Sequence, residues 1–266
     1  MKIYHMSGAG NDFIVMDARG LQMDFSPLAI KLCKKYGTDG FMALDTSEIA
    51  DFQLHFYNPD GSRGEMCGNG ARCICKFAHD LKIGDKKFTI QTDAGLVYGW
   101  YLTDDRYRVQ LNAPGVVDLH RKGDTAYVEL GNPGIPHSVT RVPGLCFHQK
   151  EQLRPRAKDL RFDPVFPKGN NVNFYDWVDD TTVRILTYER GVEDYTLACG
   201  TGSGSVAVVL WLTGQLPGGV LTLENPGGTL TVTVDGKNEM VETLLLEGPV
   251  EVLDVYEEML WESNLN

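Results

Sequence analysis

No uninterrupted apolar run in this 266-residue chain approaches the roughly 18 residues that a membrane-spanning helix needs. Its first residues, Met1-Lys2-Ile3-Tyr4-His5-Met6-Ser7-Gly8, carry no apolar core of the secretory-signal kind. A cytoplasmic location is therefore the expectation. Positive charge is scarce: 25 Lys and Arg stand against 36 Asp and Glu, for a formal net charge of −11. That balance argues against nucleic acid and anionic membrane surfaces as partners. Phosphate-binding signatures are missing. There is no Gly-x-x-x-x-Gly-Lys-[Ser/Thr], and Gly8-x-Gly10 lacks the third glycine of a dinucleotide fingerprint. Metal spacing is missing too: Cys73-x-Cys75 is one residue short of Cys-x-x-Cys, and no two histidines stand four apart. No metal and no cofactor are assigned. Without a secretory signal the six cysteines are expected to be reduced. No linker or low-complexity stretch interrupts the chain.

What is present is an ordinary soluble composition, 42% hydrophobic and 23% charged, with a length that allows one large domain or two of ordinary size. It also contains a repetition. Met66-Cys67-Gly68-Asn69-Gly70-Ala71-Arg72-Cys73 is echoed by Ala198-Cys199-Gly200-Thr201-Gly202-Ser203-Gly204-Ser205. Each copy reads Cys-Gly-x-Gly and runs on into a helix-compatible, mostly apolar segment. The two cysteines are 132 residues apart (199 − 67), half the chain. Downstream, Phe88–Leu96 lines up with Leu221–Thr229 at nearly the same offset. Upstream, Phe56-Tyr57-Asn58 precedes the first cysteine much as Thr187-Tyr188-Glu189-Arg190 precedes the second. Order and spacing hold across strand, loop, helix and strand contexts. The period is too long for a solenoid and fits a duplicated domain, with one cysteine at a helix start in each lobe.

Local signals fill in the elements. Strands are expected on both sides of the glycine-rich turn at Ser7–Asp12, and at Asp51–Tyr57, Lys87–Thr92, Leu96–Leu102 and Tyr107–Leu111. Ser26–Tyr36 reads as a helix capped by Ser26, with Pro27 in the first position. Asn112-Ala113-Pro114-Gly115 is a plausible lobe boundary. In the second half, Ala126–Leu130, Asn170–Phe174, Thr182–Tyr188, Leu221–Leu223, Thr229–Val234 and Thr243–Leu246 read as strands, and Leu153–Leu160 as a helix. Gly131-Asn132-Pro133-Gly134-Ile135-Pro136-His137 has too much proline and glycine for regular structure. The tail Val252–Trp261 is expected to dock as a strand or short helix. The lobes are accordingly 1–115 with Cys67 and 116–252 with Cys199, and the tail from about residue 253 is free to return to the first.

A thiol at a helix N-terminus lies near unpaired N–H groups and the positive end of the dipole, which favours the thiolate. The glycines that follow it clear side chains from those N–H groups and leave an anion cradle suited to a carboxylate. Two such elements around one ligand would put a thiolate on one face of the carbon next to the carboxylate and a thiol on the other. One takes a proton and the other returns one, so that carbon inverts. The helix ends stabilise the enediolate between the two steps. Cys33, Cys73, Cys75 and Cys146 lack this context and read as small packing residues.

These residues resemble the diaminopimelate epimerase family, PLP-independent enzymes that interconvert LL- and meso-diaminopimelate in lysine and cell-wall synthesis. The resemblance covers essentially the whole chain. It rests on Gly8-Ala9-Gly10-Asn11-Asp12-Phe13, on Phe56–Ser62 with Met66–Cys73, and on Glu189-Arg190-Gly191 with Leu197–Gly202. It implies an α+β fold of two pseudo-symmetric mixed α/β lobes, each a curved sheet around a central helix, with the active site in the interlobe cleft. It also implies domain closure on the substrate and, commonly, a homodimer. Carried over residue by residue, it makes Cys67 and Cys199 the acid–base pair. Gly68, Asn69, Gly200 and Thr201 would hold the carboxylate at the reacting carbon. Asn11, Asn58, Asn171 and Arg190 would recognise the distal end of the amino acid. Glu189 joins the substrate-binding set and, with His137, supports the protonation states of the cysteines. The family's Gly-Asn-Pro-His is split here. Either Asn132 serves in place of its asparagine, or Gly134–His137 takes that place and Ile135 replaces it.

The 131–137 loop and the 191–196 loop both depart from the family pattern. A PLP-independent racemase or epimerase of another amino acid on the same scaffold is therefore the alternative. From other classes, a non-catalytic amino-acid-binding protein would use the helix ends only as a carboxylate clamp, and a thiol-redox protein would use a Cys67–Cys199 disulfide.

Overall fold

A computed structural model describes residues 1–64 and 68–258. Within it the chain forms two compact units. One is Met1–Val109 together with the described residues from Pro249 on, and the other is Gln110–Gly248.

In the first unit β1 (Lys2–Gly8) and β2 (Asn11–Asp17) form an antiparallel hairpin that closes at Gly8 opposite Asn11. Ala9 and Gly10 in the turn both have positive φ, 58° and 86°, the geometry that two-residue hairpin turns require. Helix α1 (Ser26–Tyr36) crosses to β3 (Gly40–Asp45), which runs parallel to β2; β4 (Phe52–Tyr57) returns antiparallel to β3. Helix α2 (Gly68–Asp80) then crosses to β5 (Lys87–Thr92), parallel to β4, and β6 (Gly95–Thr103) and β7 (Arg106–Gln110) follow as a meander. Helix α2 packs against β1, β2, β3 and β6, so the sheet wraps around it. On the other face α1 buries Leu28, Ala29, Leu32 and Cys33 against Ile3, Ile14, Met16, Phe41 and Ala43. Covering both faces explains the continuous runs Phe13-Ile14-Val15-Met16 and Phe41-Met42-Ala43-Leu44, which do not alternate. Ser26 does not cap α1. Phe25 is the N-cap residue with no side-chain bond, and the Ser26 hydroxyl instead donates to the Gly61 carbonyl at 2.7 Å. It ties the helix start to the Asn58–Gly61 turn.

The second unit repeats this order. It consists of β8 (Pro114–Lys122), β9 (Thr125–Gly131), β10 (Gly134–Arg141), α3 (Lys150–Arg161), β11 (Asn171–Trp177), β12 (Thr182–Glu189), the two-residue β13 (Asp194–Tyr195), α4 (Gly200–Leu212), β14 (Val220–Asn225), β15 (Gly228–Lys237) and β16 (Met240–Pro249). The β9–β10 hairpin is antiparallel, β10–β11 parallel, β11–β12 antiparallel, β12–β14 parallel, and β14–β15–β16 a meander. This is the pairing sequence of β1 to β7. Helix α4 has no polar face. Residues Gly202 to Leu210 are all buried, and the helix packs against β9, β10, β11, β14 and β15. It is the counterpart of α2, which has the same 13-residue length. Helix α3 covers the outside, setting Ala157 and Leu160 against Val172, Phe174, Leu186 and Tyr188.

In the second unit, two longer stretches differ from the sequence expectation. Residues 131–137 are not an irregular loop: Gly131 pairs with Gly134, Asn132 and a cis-Pro133 form the turn, and Gly134 to His137 already belong to β10. Pro136 is tolerated there because the ladder from β10 to β11 begins one residue later, at His137 opposite Asn171. Pro114–Lys122, which carries no strand signal beyond its valines, is β8, paired with β9. The tail forms a final strand, β17 (Glu251–Glu257), which returns to the first unit and pairs antiparallel with β1. The end of the expected tail element, residues 259–261, lies outside the described residues. No helix among the described residues is long and apolar enough to cross a membrane.

Candidate active site

Cys199 is the N-cap residue of α4, with extended backbone (φ −120°, ψ 110°), and the residue is 7% exposed. Its Sγ accepts from the Gly202 N–H at 3.4 Å and lies 3.5 Å from the Thr201 hydroxyl; its carbonyl accepts from the Ser203 N–H at 2.9 Å. Oxygen-bearing residues are the usual choice at an N-cap. Sulfur is a weak acceptor there, so helix capping is not what selects Cys199. The first-turn N–H groups of Gly200 and Thr201 have no partner four residues back within the helix, which is the ordinary state of a helix start and the basis of its affinity for anions. Gly227 N–H donates to the Leu197 carbonyl at 2.7 Å, which anchors the approach to Cys199 on the β14–β15 turn.

Beneath this helix start lies a polar cluster in an apolar setting. A side chain at Gly202 would place its Cβ 2.3 Å from Asn173 Oδ1. The Asn173 amide is locked: its oxygen accepts from the Thr187 hydroxyl at 2.9 Å, and its nitrogen donates to the Ser138 carbonyl at 2.9 Å and lies 3.2 Å from His137 Nδ1. His137, Asn173 and Thr187 are at most 3% exposed. Complete burial drives the His137 imidazole down to about 3, with a smaller contribution from the Arg190 charge, so it is neutral at physiological pH. That has a consequence for stability. Once unfolded, His137 regains a value near 6.5 and takes up a proton that the native state refuses. Stability should therefore fall as pH drops below about 6.5 and go on falling towards about 3, by up to about 1.4 kcal/mol per pH unit from this group. Denaturant titrations at pH 7 and pH 5 check it: His137→Asn should be less acid-sensitive than the wild type by close to one proton.

The other expected residues of this unit lie on the edge of the same strands. Asn171, the first residue of β11, donates to the Pro136 carbonyl at 3.2 Å and accepts from the Arg190 N–H at 2.9 Å. Arg190 follows β12 and is exposed, with Nη1 donating to the Lys168 carbonyl at 3.0 Å. Glu189 ends β12 opposite Asp194. Asn132 is exposed at the β9–β10 turn, and Ile135, half-buried, pairs with Leu130.

In the first unit, Gly68 and Asn69 open α2 and are buried. Asn69 Nδ2 donates to Asn11 Oδ1, and Asn11 Nδ2 donates to Asp39 at 3.2 Å, so two expected residues meet directly. The approach is close because Gly8 has no side chain; a Cβ there would come within 2.8 Å of the Asn69 carbonyl. Asn58 stands apart in the turn after β4 and donates to the Ser62 hydroxyl at 3.0 Å. Cys67, expected as the partner of Cys199, lies outside the described residues. Cys33, Cys73 and Cys75 are buried, as packing residues should be, and burial raises the Cys33 and Cys75 thiols. Cys146 departs from that expectation: it is partly exposed and stands 3.1 Å from His148 Nε2.

Sequence reasoning missed Asn173 and Thr187. One signal was there to be used. Asn171 and Asn173 share a face of β11 by the period of two, and two amides on one face of an otherwise apolar strand require partners.

The diaminopimelate epimerase family model matches residues 3–116 and 130–252. The diaminopimelate epimerase of Flavobacterium psychrophilum is 34% identical over 258 residues, covering 94% of this chain and 97% of that protein. Among solved structures, a phenazine biosynthesis protein of the PhzF family from Bacillus anthracis superposes with a TM-score of 0.73 at 15% identity, over 97% of this chain and 99% of that one. A hydroxyproline epimerase from Agrobacterium vitis, solved with trans-4-hydroxy-L-proline, gives 0.67 at 15% identity, over 96% and 90%. At such identities these two establish the fold: mixed α/β, mostly sheet, in two lobes.

Proposed function

The chain belongs to the diaminopimelate epimerase family, and from that premise we propose that it interconverts LL- and meso-diaminopimelate without a cofactor, by a two-base thiol mechanism in lysine and cell-wall precursor synthesis. One observation carries the reading: the thiol of Cys199 caps α4 and accepts from the Gly202 N–H, in a Cys-Gly-x-Gly start that recurs at α2.

The chemistry follows from that element. A thiolate takes the Cα proton; the electron pair of the C–H bond moves into the carboxylate, giving an enediolate. The second cysteine, as a thiol, gives its proton to the opposite face of Cα. The net change is inversion, with thiol and thiolate exchanged between Cys67 and Cys199. The N–H groups of Gly68, Asn69, Gly200 and Thr201 are the natural donors to the carboxylate as its charge grows. The Gly202 N–H that reaches Cys199 Sγ favours the thiolate form. Further out, Arg190 offers a guanidinium to the distal carboxylate, and Asn11, Asn58 and Asn171 offer uncharged amides to the distal ammonium–carboxylate pair. Glu189 completes the binding set. His137, neutral and buried, acts through the Asn173 cluster beneath α4, and Asn132 stands at the hairpin rim.

The test is incubation of the reduced protein in deuterated water with LL-diaminopimelate, without PLP or metal, followed by NMR. Deuterium at Cα together with the meso isomer is expected. Exchange of some other amino acid but not of diaminopimelate would keep the mechanism and replace the substrate. No exchange with any amino acid would sink the reading.

A further inference from the structure

Arg190 is exposed, on the first residue after a strand, where a long side chain has many rotamers to lose on binding. Yet it is not loose. Four other residues of the second unit form a closed ring of contacts with it. Glu129 Oε2 accepts from Lys168 Nζ at 2.8 Å. The Lys168 carbonyl accepts from Arg190 Nη1 at 3.0 Å. The Arg190 N–H donates to Asn171 Oδ1 at 2.9 Å, and Asn171 Nδ2 donates to the Pro136 carbonyl at 3.2 Å. Pro136 faces Glu129 across the β9–β10 ladder, which closes the ring.

The ring is built on a buried carboxylate. The Glu129 side chain is 9% exposed, that of Lys168 56%. Burial works to raise the Glu129 carboxyl, but the Lys168 ammonium and the Tyr127 hydroxyl, which donates to Oε1 at 2.7 Å, outweigh it and hold the group below its ordinary value. Space for this side chain comes from Gly134, where a Cβ would stand 2.6 Å from Glu129 Cβ. A buried carboxylate with two donors is a fixed point, whereas the Lys168–Phe166 loop that it holds has no strand or helix of its own. Nε and Nη2 of Arg190 make no hydrogen bond among the described residues, so one edge of the fork is tethered and the rest is presented.

We infer that Glu129 and Lys168 are positioning residues for substrate specificity: through the Lys168 carbonyl they aim the Arg190 guanidinium at the distal carboxylate of the amino acid. This rests on the reading of Arg190 given under the proposed function. Neither residue touches the reacting carbon in this scheme, so removing them should weaken binding of the far end and spare the chemical step.

The experiment compares wild type, Glu129→Gln, Arg190→Gln and the double variant with LL-diaminopimelate as substrate. Glu129→Gln should raise KM about tenfold with kcat within about threefold, the scale of a misplaced binding group. In the Arg190→Gln background the same change should have no further effect on kcat/KM, since Glu129 acts through that guanidinium. An unchanged KM for Glu129→Gln, a loss confined to kcat, or full additivity in the double variant would overturn the inference. If Glu129→Gln does not fold, Lys168→Ala, at an exposed side chain, takes its place with the same expectations. Wild-type protein that leaves diaminopimelate unexchanged overturns the functional reading and this inference with it; wild-type turnover with additive variants overturns this inference alone.

Discussion

Cys199→Ser is expected to lower epimerisation by about 10³-fold or more while leaving the protein as stable as the wild type, or up to about 1 kcal/mol more stable. The two halves of that expectation come from one position. As an N-cap, serine is the better residue, because its oxygen accepts from the Gly202 N–H at a shorter distance than the 3.4 Å of Cys199 Sγ. As a base, an alcohol is nearly useless near neutral pH where a thiol is tunable. A cysteine kept for structure would lose little activity on this change; a cysteine kept for proton transfer would lose nearly all. The check is NMR-detected inversion of diaminopimelate beside a urea titration of the same sample. Activity within tenfold of wild type would remove Cys199 from the chemistry.

Gly202→Ala should be damaging for the opposite reason, with the thiol untouched. The new Cβ meets Asn173 Oδ1 at 2.3 Å and Thr187 Oγ1 at 3.2 Å. Asn173 cannot turn away without giving up its bonds to Thr187 and Ser138. Helix α4 has to shift instead, at a cost of about 1–3 kcal/mol in stability. Because the first turn of α4 carries both Cys199 and the expected carboxylate donors, a displacement of about 1 Å should cost about 100-fold in kcat/KM. Gly218→Ala is the matched control. No atom stands within 4 Å of its added Cβ, so its melting temperature and activity should stay near wild type. Equal losses in the two variants would show that crowding beneath α4 is not the cause.

The duplicated architecture was legible because its punctuation is local. The Cys-Gly-x-Gly starts, the turn residues before them and the strands after them recur at a nearly constant offset, and each has a residue-level cause. The β9–β10 hairpin was not legible. Two prolines and two glycines in seven residues read as irregular, and only the pairing with β11, which starts just past Pro136, makes a strand proline harmless. Ser26 misled in the same way: its hydroxyl had a capping role in sequence, but a carbonyl 35 residues away claims it. At the site, the expected residues are those that a sequence motif carries. Asn173, Thr187 and Glu129 belong to no motif, because each takes a partner 14 to 39 residues away that the local sequence does not announce. A buried amide or carboxylate has no local signature; its partners, which only the fold assembles, are what identify it.

The return of β17 to β1 also sets an order of events during synthesis. The second unit is continuous in the chain, Gln110–Gly248, and can complete its sheet as soon as it has left the ribosome. The first unit cannot. Until Glu251–Glu257 emerges, β1 has β2 on one side and an open edge on the other, and the backbone bonds joining Met1 and Glu258 do not exist. At ordinary elongation rates that edge waits for roughly 10–50 s. An open strand edge is the part of a nascent sheet most exposed to pairing with a wrong chain. The half made first is thus finished last.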